Sequence, residues 1–401
     1  MSLPDPEVRL KVPGSKSQTQ RALMLAALAA GESQLLDPLD CDDSAVLRRA
    51  LRAMDVTITE EPACWRVRGG ELRPPEQPMW CGEAGTALRF LAPLCLLLRG
   101  ELILDGSERL KQRPLADGLE ALARLGVQVR HLDRSRTLPV ALRLEGRPGT
   151  QTWISLEHSS QFASGLLMVA PRLSNGLLLG LAPDPAGPLA VSRPYLELTL
   201  QTMETFGVGV LNQRGRLKVL PQAYRPTALQ VEGDWSSAAF MLAGGRLVGR
   251  RVVVENLAAD SGQGDRAIVE LLAELDAPRP HRLDLTDCPD LIAPLAAAAV
   301  RAAHPVDLVG VAHARLKESD RVAVLADGLR AAGVPVEQRP DGLRIEPGAT
   351  LRPAQLETQG DHRMAMAFGL LSLLEPGIRP DNRGCVSKSY PTFWDDLERL
   401  R

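Results

Sequence analysis

Hydrophobic positions along this chain fall into two alternating kinds of run. The first kind is apolar on every side: Ala22 to Ala30 follows the opening PGSKSQTQR, and similar runs follow CGEAGT, HSSQ, GDWSS, CPD and GDHR. A stretch without a polar face predicts a helix buried all round. The second kind is amphipathic, as in DCDDSAVLRRALRAMDV, where Val46, Leu47, Ala50, Leu51 and Met54 recur at helical spacing. Such a helix lies on a surface. Short alternating segments such as VTIT and WRVR predict strands between them.

With Lys16, Thr86, Ser160, Ser236, Asp290 and His362 taken as equivalent marks, the spacings are 70, 74, 76, 54 and 72. Near-even intervals predict an internal repeat of about seventy residues. Amphipathic helices between the marks end alike, in RAMDV, ARLGV, ETFGV, AELDA and RAAGV, and FWDDLERL supplies a sixth. Each copy reads as strand, buried helix, strand, amphipathic helix and strand pair, an α/β layer. The fourth interval is short by about twenty residues, so that copy is expected to lack its hairpin, with PRPHRLDLTD as the remnant. Three copies per domain put the break near Val231 to Trp235. If Arg9 to Val12 pairs in the later domain, the chain crosses between domains twice.

The start of a buried helix is also where chemistry is expected. Ser15, Ser17 or Thr19 can cap the first one, and Gly31 suits the residue that follows it. Unpaired N–H groups, the helix dipole, Lys16 and Arg21 together favour a bound anion. Other cations lie in LKQRP (Lys111, Arg113), RLKESDR (Arg315, Lys317, Arg321), DHR (Arg363) and CVSKSYP (Lys388). On a helix, Lys317, Glu318 and Arg321 would share a face, and KESDR reads equally as an exposed ion-pair start. His158, Ser159, Ser160 and Gln161 offer donors for phosphate or a plain cap. Asp290 reads as a helix cap, and Ser192 and Tyr195 as cap and core.

Composition narrows the partners. The 401 residues are 45% apolar and 24% charged, which is globular and calls for more than one domain. Forty-seven basic against 49 acidic residues leave a charge of -2, without the excess that draws nucleic acid or anionic membrane. Aromatics at 3% are too few for base-stacking platforms. Six scattered cysteines form no C-x-x-C pair, so reduced thiols, a cytoplasmic location and no structural metal are expected. The N-terminus has no apolar leader, and the longest apolar run, Leu91 to Leu98, cannot span a bilayer.

The pieces PGSKSQTQRALMLAAL, AGTALRFLAPL, QRPLADGLEALARLG, SSQFASGLLMVAP, SRPYLELTL, RLKESDRV, DHRMAMAF and SKSYPTFWDDL stand in this order along nearly the whole chain. Together they resemble the 5-enolpyruvylshikimate-3-phosphate synthase family. The resemblance implies a two-domain inside-out α/β barrel of six βαβαββ repeats. Residues 1–15 with 228–401 would form a terminal discontinuous domain and 16–227 an inserted one, with the active site in the cleft between them. It implies transfer of the enolpyruvyl group of phosphoenolpyruvate to the 5-hydroxyl of shikimate 3-phosphate, releasing phosphate, on the chorismate branch of aromatic amino-acid biosynthesis. No metal or organic cofactor, no nucleic acid, no membrane and a monomeric protein are expected.

By the same resemblance, Asp290 is the base, Glu318 the acid, and Lys16 a catalytic cation. Lys16, Ser17, Arg21, Ser159, Ser160, Gln161, Ser192, Tyr195, Asp290, His313 and Lys317 would bind shikimate 3-phosphate. Lys16, Gly85, Thr86, Arg113, Gln161, Glu318, Arg321, His362, Arg363 and Lys388 would bind phosphoenolpyruvate. The two substrates carry roughly -5 to -6, against which seven cations less Asp290 and Glu318 give +5. Glu83 and His313 stand where the family often has asparagine. A sister enzyme acting on a UDP-sugar usually has a cysteine near the position of Arg113, and GSERLKQRP has none. A non-catalytic anion- or RNA-binding repeat protein would not need both Asp290 and Glu318.

Overall fold

The computed structural model describes residues 7–133, 137–181, 191–213 and 215–401. The first six residues, on which the expectation of no leader partly rests, lie outside these. The chain forms two compact units, one comprising residues up to Pro13 with Gly233–Arg401, the other Gly14–Glu232.

After strand β1 (Val8–Leu10), the Gly14–Glu232 unit runs through three turns of one pattern. The first is α1 (Lys16–Leu28), β2 (Gly31–Leu36), α2 (Asp42–Ala53), β3 (Thr57–Glu61) and β4 (Cys64–Gly69). The second is β5 (Met79–Trp80), α3 (Gly85–Leu91), β6 (Glu101–Asp105), α4 (Glu108–Lys111), α5 (Ala116–Arg124), β7 (Val127–His131) and β8 (Val140–Leu144). The third is β9 (Gln151–Ile154), α6 (Gln161–Val169), β10 (Leu177–Leu181), α7 (Arg193–Thr205), β11 (Leu211–Gln213) and β12 (Arg216–Val219), and β13 (Ala228–Gln230) closes the unit.

Three four-stranded sheets result, ordered β13-β2-β4-β3, β5-β6-β8-β7 and β9-β10-β12-β11. In each, the first pair is parallel and the hairpin antiparallel. Helices α1, α3 and α6 pack on one another as the centre of this unit's core. From Thr19 to Leu28 every residue of α1 is buried, as its all-apolar run requires. At Gly165 a Cβ would sit 2.6 Å from the Arg89 carbonyl oxygen, so a glycine is what lets α6 approach α3. Helices α3 and α6 each end in a 3-10 turn at Pro93 and Pro171, where proline stops the α ladder.

The other unit continues with α8 (Trp235–Val248), β14 (Val252–Val254), α9 (Ile268–Glu274), β15 (His281–Asp284), α10 (Ile292–Ala299) and β16 (Val306–Val309). It ends with α11 (Arg321–Ala331), β17 (Val336–Arg339), β18 (Gly342–Ile345), β19 (Ala354–Leu356), α12 (His362–Leu371), β20 (Ile378–Pro380) and α13 (Phe393–Glu398). Here α8, α10 and α12 pack together in a second core, and every residue of α12 is buried.

Strand β1 pairs in parallel with β14, while β13 pairs with β2, so the chain does cross between the units twice. Two expectations need correcting. His281–Asp284, within PRPHRLDLTD, is no hairpin remnant: it is β15, the first strand of the fifth repeat, paired in parallel with β16. The closing hairpin is also missing from two repeats, not one. Among the described residues the β1-β14 and β19-β20 sheets hold two strands each, and only the fifth repeat of this unit has four. No helix among the described residues is long and apolar enough to cross a membrane.

Candidate active site

In the Gly14–Glu232 unit polar contacts tie α1 to α6 and α7 through Arg21, and α3 to α6 through Gln161 and Arg89. Ser15 is the N-cap of α1, its hydroxyl accepting from Gln18 N at 3.4 Å. The helix therefore begins at Lys16, six residues before the apolar run. Lys16 Nζ lies 3.2 Å from Asp43 Oδ2, and Asp43, in the first turn of α2, is itself buried. Gln161, first residue of α6, donates from Nε2 to Thr86 Oγ1 at 2.8 Å and from its backbone N to Ser159 Oγ at 3.2 Å. It is not a solvent-facing cap residue. Ser160 and Ser192 occupy the N-cap positions of α6 and α7 without a side-chain cap bond, and Ser192 has a left-handed φ of 58°.

Arg21 is 2% exposed. Its Nε donates to Thr199 Oγ1 (2.7 Å), Nη1 to the Ser17 carbonyl (2.9 Å), and Nη2 to the Tyr195 carbonyl (2.7 Å) and Ser164 Oγ (3.5 Å). It thereby ties α1 to α6 and α7. Burial pulls its pKa down to about 10.

Arg89 was not anticipated from the sequence. It is 2% exposed and donates to the Gly85 carbonyl (3.2 Å), Gln161 Oε1 (3.2 Å) and the Pro114 carbonyl (2.8 Å). A Cβ on Gly85 would stand 2.7 Å from Arg113 Cζ and 2.8 Å from Arg89 Nη1, so Gly85 makes room for two guanidinium groups. The signal was a lone arginine inside the apolar stretch ALRFLAPL, since a buried charge must find partners.

The other unit gathers a denser ionic cluster. Arg321, first residue of α11, is 2% exposed and meets three carboxylates. Its Nη1 donates to Asp290 Oδ1 (2.6 Å), Nη2 to Glu318 Oε2 (2.7 Å), and Nε to Asp361 Oδ2 (2.8 Å). Arg363 Nη2 reaches Asp290 Oδ2 at 2.9 Å, and Lys388 Nζ lies 3.7 Å from Glu318 Oε1. Lys317 acts on Asp290 electrostatically. His313 and His362 are buried nearby in sequence, His362 Nδ1 lying 3.6 Å from Asp361 Oδ1.

Three expectations change here. Lys317 and Glu318 do not lie on a helix; the chain becomes helical only at Arg321, with Asp320 as N-cap accepting from Ala323 N. KESDR is not an exposed ion-pair start, because the Glu318–Arg321 pair is buried. Asp290 sits within the 3-10 turn Pro289–Leu291, and its two oxygens face Arg321 and Arg363 instead of capping a helix.

Burial alone would raise the Asp290 carboxyl, but Arg363, Arg321 and Lys317 outweigh it and hold it well below the usual range. Asp265 differs. It is 1% exposed, takes the Ser236 hydroxyl, and is pushed up to about 6 by burial and by Asp290. Asp43, Asp265 and Asp361 went unassigned in the sequence.

A family model described as EPSP synthase (3-phosphoshikimate 1-carboxyvinyltransferase) matches residues 6–397. A 3-phosphoshikimate 1-carboxyvinyltransferase of Dehalococcoides mccartyi is 35% identical over 98% of this chain and 96% of that protein. One from Methanothermobacter thermautotrophicus is 37% identical over 98% and 96%. Among solved structures, an EPSP synthase from Acinetobacter baumannii superposes with a TM-score of 0.77 at 24% identity, covering 99% of this chain and 97% of its own. That likeness gives the fold, the two-domain inside-out α/β architecture. A match running from residue 6 to residue 397, with relatives above one-third identity from end to end, shows that the chain belongs to the EPSP synthase (3-phosphoshikimate 1-carboxyvinyltransferase) family.

Proposed function

We propose that this protein transfers the enolpyruvyl group of phosphoenolpyruvate to the 5-hydroxyl of shikimate 3-phosphate, with release of phosphate. The observation that carries this reading, beside the family, is that Asp290 and Glu318 are held by one guanidinium, Arg321, with Arg363 and Lys388 on their other oxygens. Two carboxyl groups and a set of fixed cations are what the chemistry asks for. A proton from Glu318 goes to the methylene carbon of phosphoenolpyruvate, and the neighbouring carbon becomes cationic. The 5-hydroxyl attacks that carbon and gives its proton to Asp290, forming a tetrahedral adduct. Glu318, left as a carboxylate, takes a proton back from the new methyl group, the C–O bond to phosphate breaks, and the cations stabilise the charge of the departing phosphate.

Both units are proposed to serve the same pair of substrates. Lys16, Ser17, Arg21, Ser159, Ser160, Gln161, Ser192 and Tyr195, with Asp290, His313 and Lys317, take shikimate 3-phosphate. Lys16, Gly85, Thr86, Arg113, Gln161, Glu318, Arg321, His362, Arg363 and Lys388 take phosphoenolpyruvate. The network joining Gln161, Thr86, Arg89 and Gly85 supports this, since it fixes donors where a helix start already favours an anion. We place the reaction in the cytoplasm, where six unbonded thiols stay reduced, and in a monomer.

The test is phosphate release. The purified protein should release phosphate from phosphoenolpyruvate only when shikimate 3-phosphate is added, and Lys16→Ala should lower turnover by orders of magnitude. A folded sample that releases none overturns the reading.

A further inference from the structure

The three carboxylates on Arg321 are not equivalent. Asp361 is 0% exposed and fixed from several sides: it caps α12 by accepting from Arg363 N (2.9 Å), and it takes the Ser319 hydroxyl (3.0 Å) as well as Arg321 Nε. No ligand can reach it without unravelling the start of α12. Asp290 and Glu318 lie on a 3-10 turn and a loop, their side chains 18% and 11% exposed; Asp290 takes Nη1 and Glu318 takes Nη2, which also donates to Asp361 Oδ1 at a longer 3.4 Å. The guanidinium thus has an inner edge committed to the fold and an outer edge covered by its own acids. The outer edge has the forked geometry that receives a carboxylate or phosphate bidentately.

We propose that Arg321 is an exchange clamp: an oxyanion group of phosphoenolpyruvate takes over its Nη1 and Nη2, displacing Asp290 and Glu318 together, while Asp361 keeps Nε. The inference rests on the proposed function and adds a step to it. While both sit on Arg321, the base and the acid neutralise one cation and are poor at proton transfer. Arrival of the substrate removes that cation from both at once.

The surroundings agree in sign. Asp290 faces Arg321, Arg363, Lys317, Glu318 and Asp265, and its carboxyl is held low by the first three cations. Losing Arg321's share moves its proton affinity upward, toward that of a working base. Glu318 faces Arg321 and Lys388 and retains the lysine after exchange. Asp361 faces Arg321 and His362 and stays as it is.

The experiment uses the full chain crystallised with phosphoenolpyruvate and shikimate 3-phosphate and, separately, with inorganic phosphate. It is paired with calorimetric titration of phosphoenolpyruvate into wild type, Asp290→Asn and Glu318→Gln. The bound structure should show the Nη contacts to Asp290 and Glu318 broken and the Asp361 bonds intact. Each variant, having lost a competitor for the guanidinium, should bind phosphoenolpyruvate about tenfold more tightly although turnover is gone. A bound structure that keeps both Nη contacts, or variants that bind no more tightly than wild type, overturns the exchange. Inorganic phosphate seated on the Nη edge in a protein that releases no phosphate from phosphoenolpyruvate would sink the enzymatic reading and uphold the exchange.

Discussion

Arg21 and Arg321 are equally buried, at 2% exposure each, and their surroundings solve the same problem in opposite ways. Among the described residues Arg21 has no carboxylate as a bonded partner: two carbonyls and the hydroxyls of Thr199 and Ser164 carry the guanidinium, with the Phe90 ring centroid 5.3 Å away. Dipoles satisfy its donors without cancelling its charge, and burial lowers its pKa. Around Arg321, burial also acts downward, yet Asp361, Glu318 and Asp290 outweigh it and raise the pKa above the ordinary value. One cation keeps its net charge. The other is already neutralised, so any anion it binds must be exchanged for one it holds.

The largest expected effect separates the two directly. Arg321→Met leaves one buried and two half-buried carboxylates without their common cation and should cost about 3–5 kcal/mol in calorimetric or urea unfolding. Arg21→Met leaves neutral groups, and the Thr199 hydroxyl can donate to either the Tyr195 carbonyl or Ser164 Oγ, so about 1–2 kcal/mol is expected. Equal losses would break the comparison.

Asp265 sharpens it at the next scale. With a folded pKa of about 6 against an ordinary 3.8, this carboxyl binds its proton more tightly in the folded state. The stability it contributes is therefore fully present below about pH 3.8 and is lost as pH rises through 6. Asp265→Asn cannot titrate, so its stability relative to wild type should improve by roughly 3 kcal/mol as pH rises from 3.8 through 6 and then level off. A pH-independent difference in denaturation midpoints would show that Asp265 is not held in this way.

Gly85→Ala is the mildest. Its Cβ would press on the guanidinium ends of Arg113 and Arg89 at 2.6 to 2.8 Å, and long side chains give way more cheaply than backbone. The KM for phosphoenolpyruvate should rise about tenfold with the melting temperature nearly unchanged. An unaltered KM would remove Arg113 from the proposed ligand set.

Much of the architecture was legible because it follows from period and polarity. Runs such as Ala22 to Ala30 have no polar face, so they must be buried, and the even spacing of their polar beginnings announced repeats. The hairpins were harder to read: His281–Asp284 has the alternation of any strand, and only its pairing with β16 assigns it to the fifth repeat. The candidate site divided in the same manner. Lys16, Gln161, Arg321 and Arg363 stand at helix starts that the pattern marks. Arg89 was visible as a charge in an apolar run, though its partners were not.

What the sequence by itself determined is the succession of buried and amphipathic helices, the repeat, the family, and which side chains carry charge, since these depend on neighbours along the chain. Only the tertiary structure decided which acid meets which base. Asp43 on Lys16 and Asp361 on Arg321 join residues 27 and 40 positions apart, and the worth of such a pair is fixed by the burial and geometry that folding alone creates.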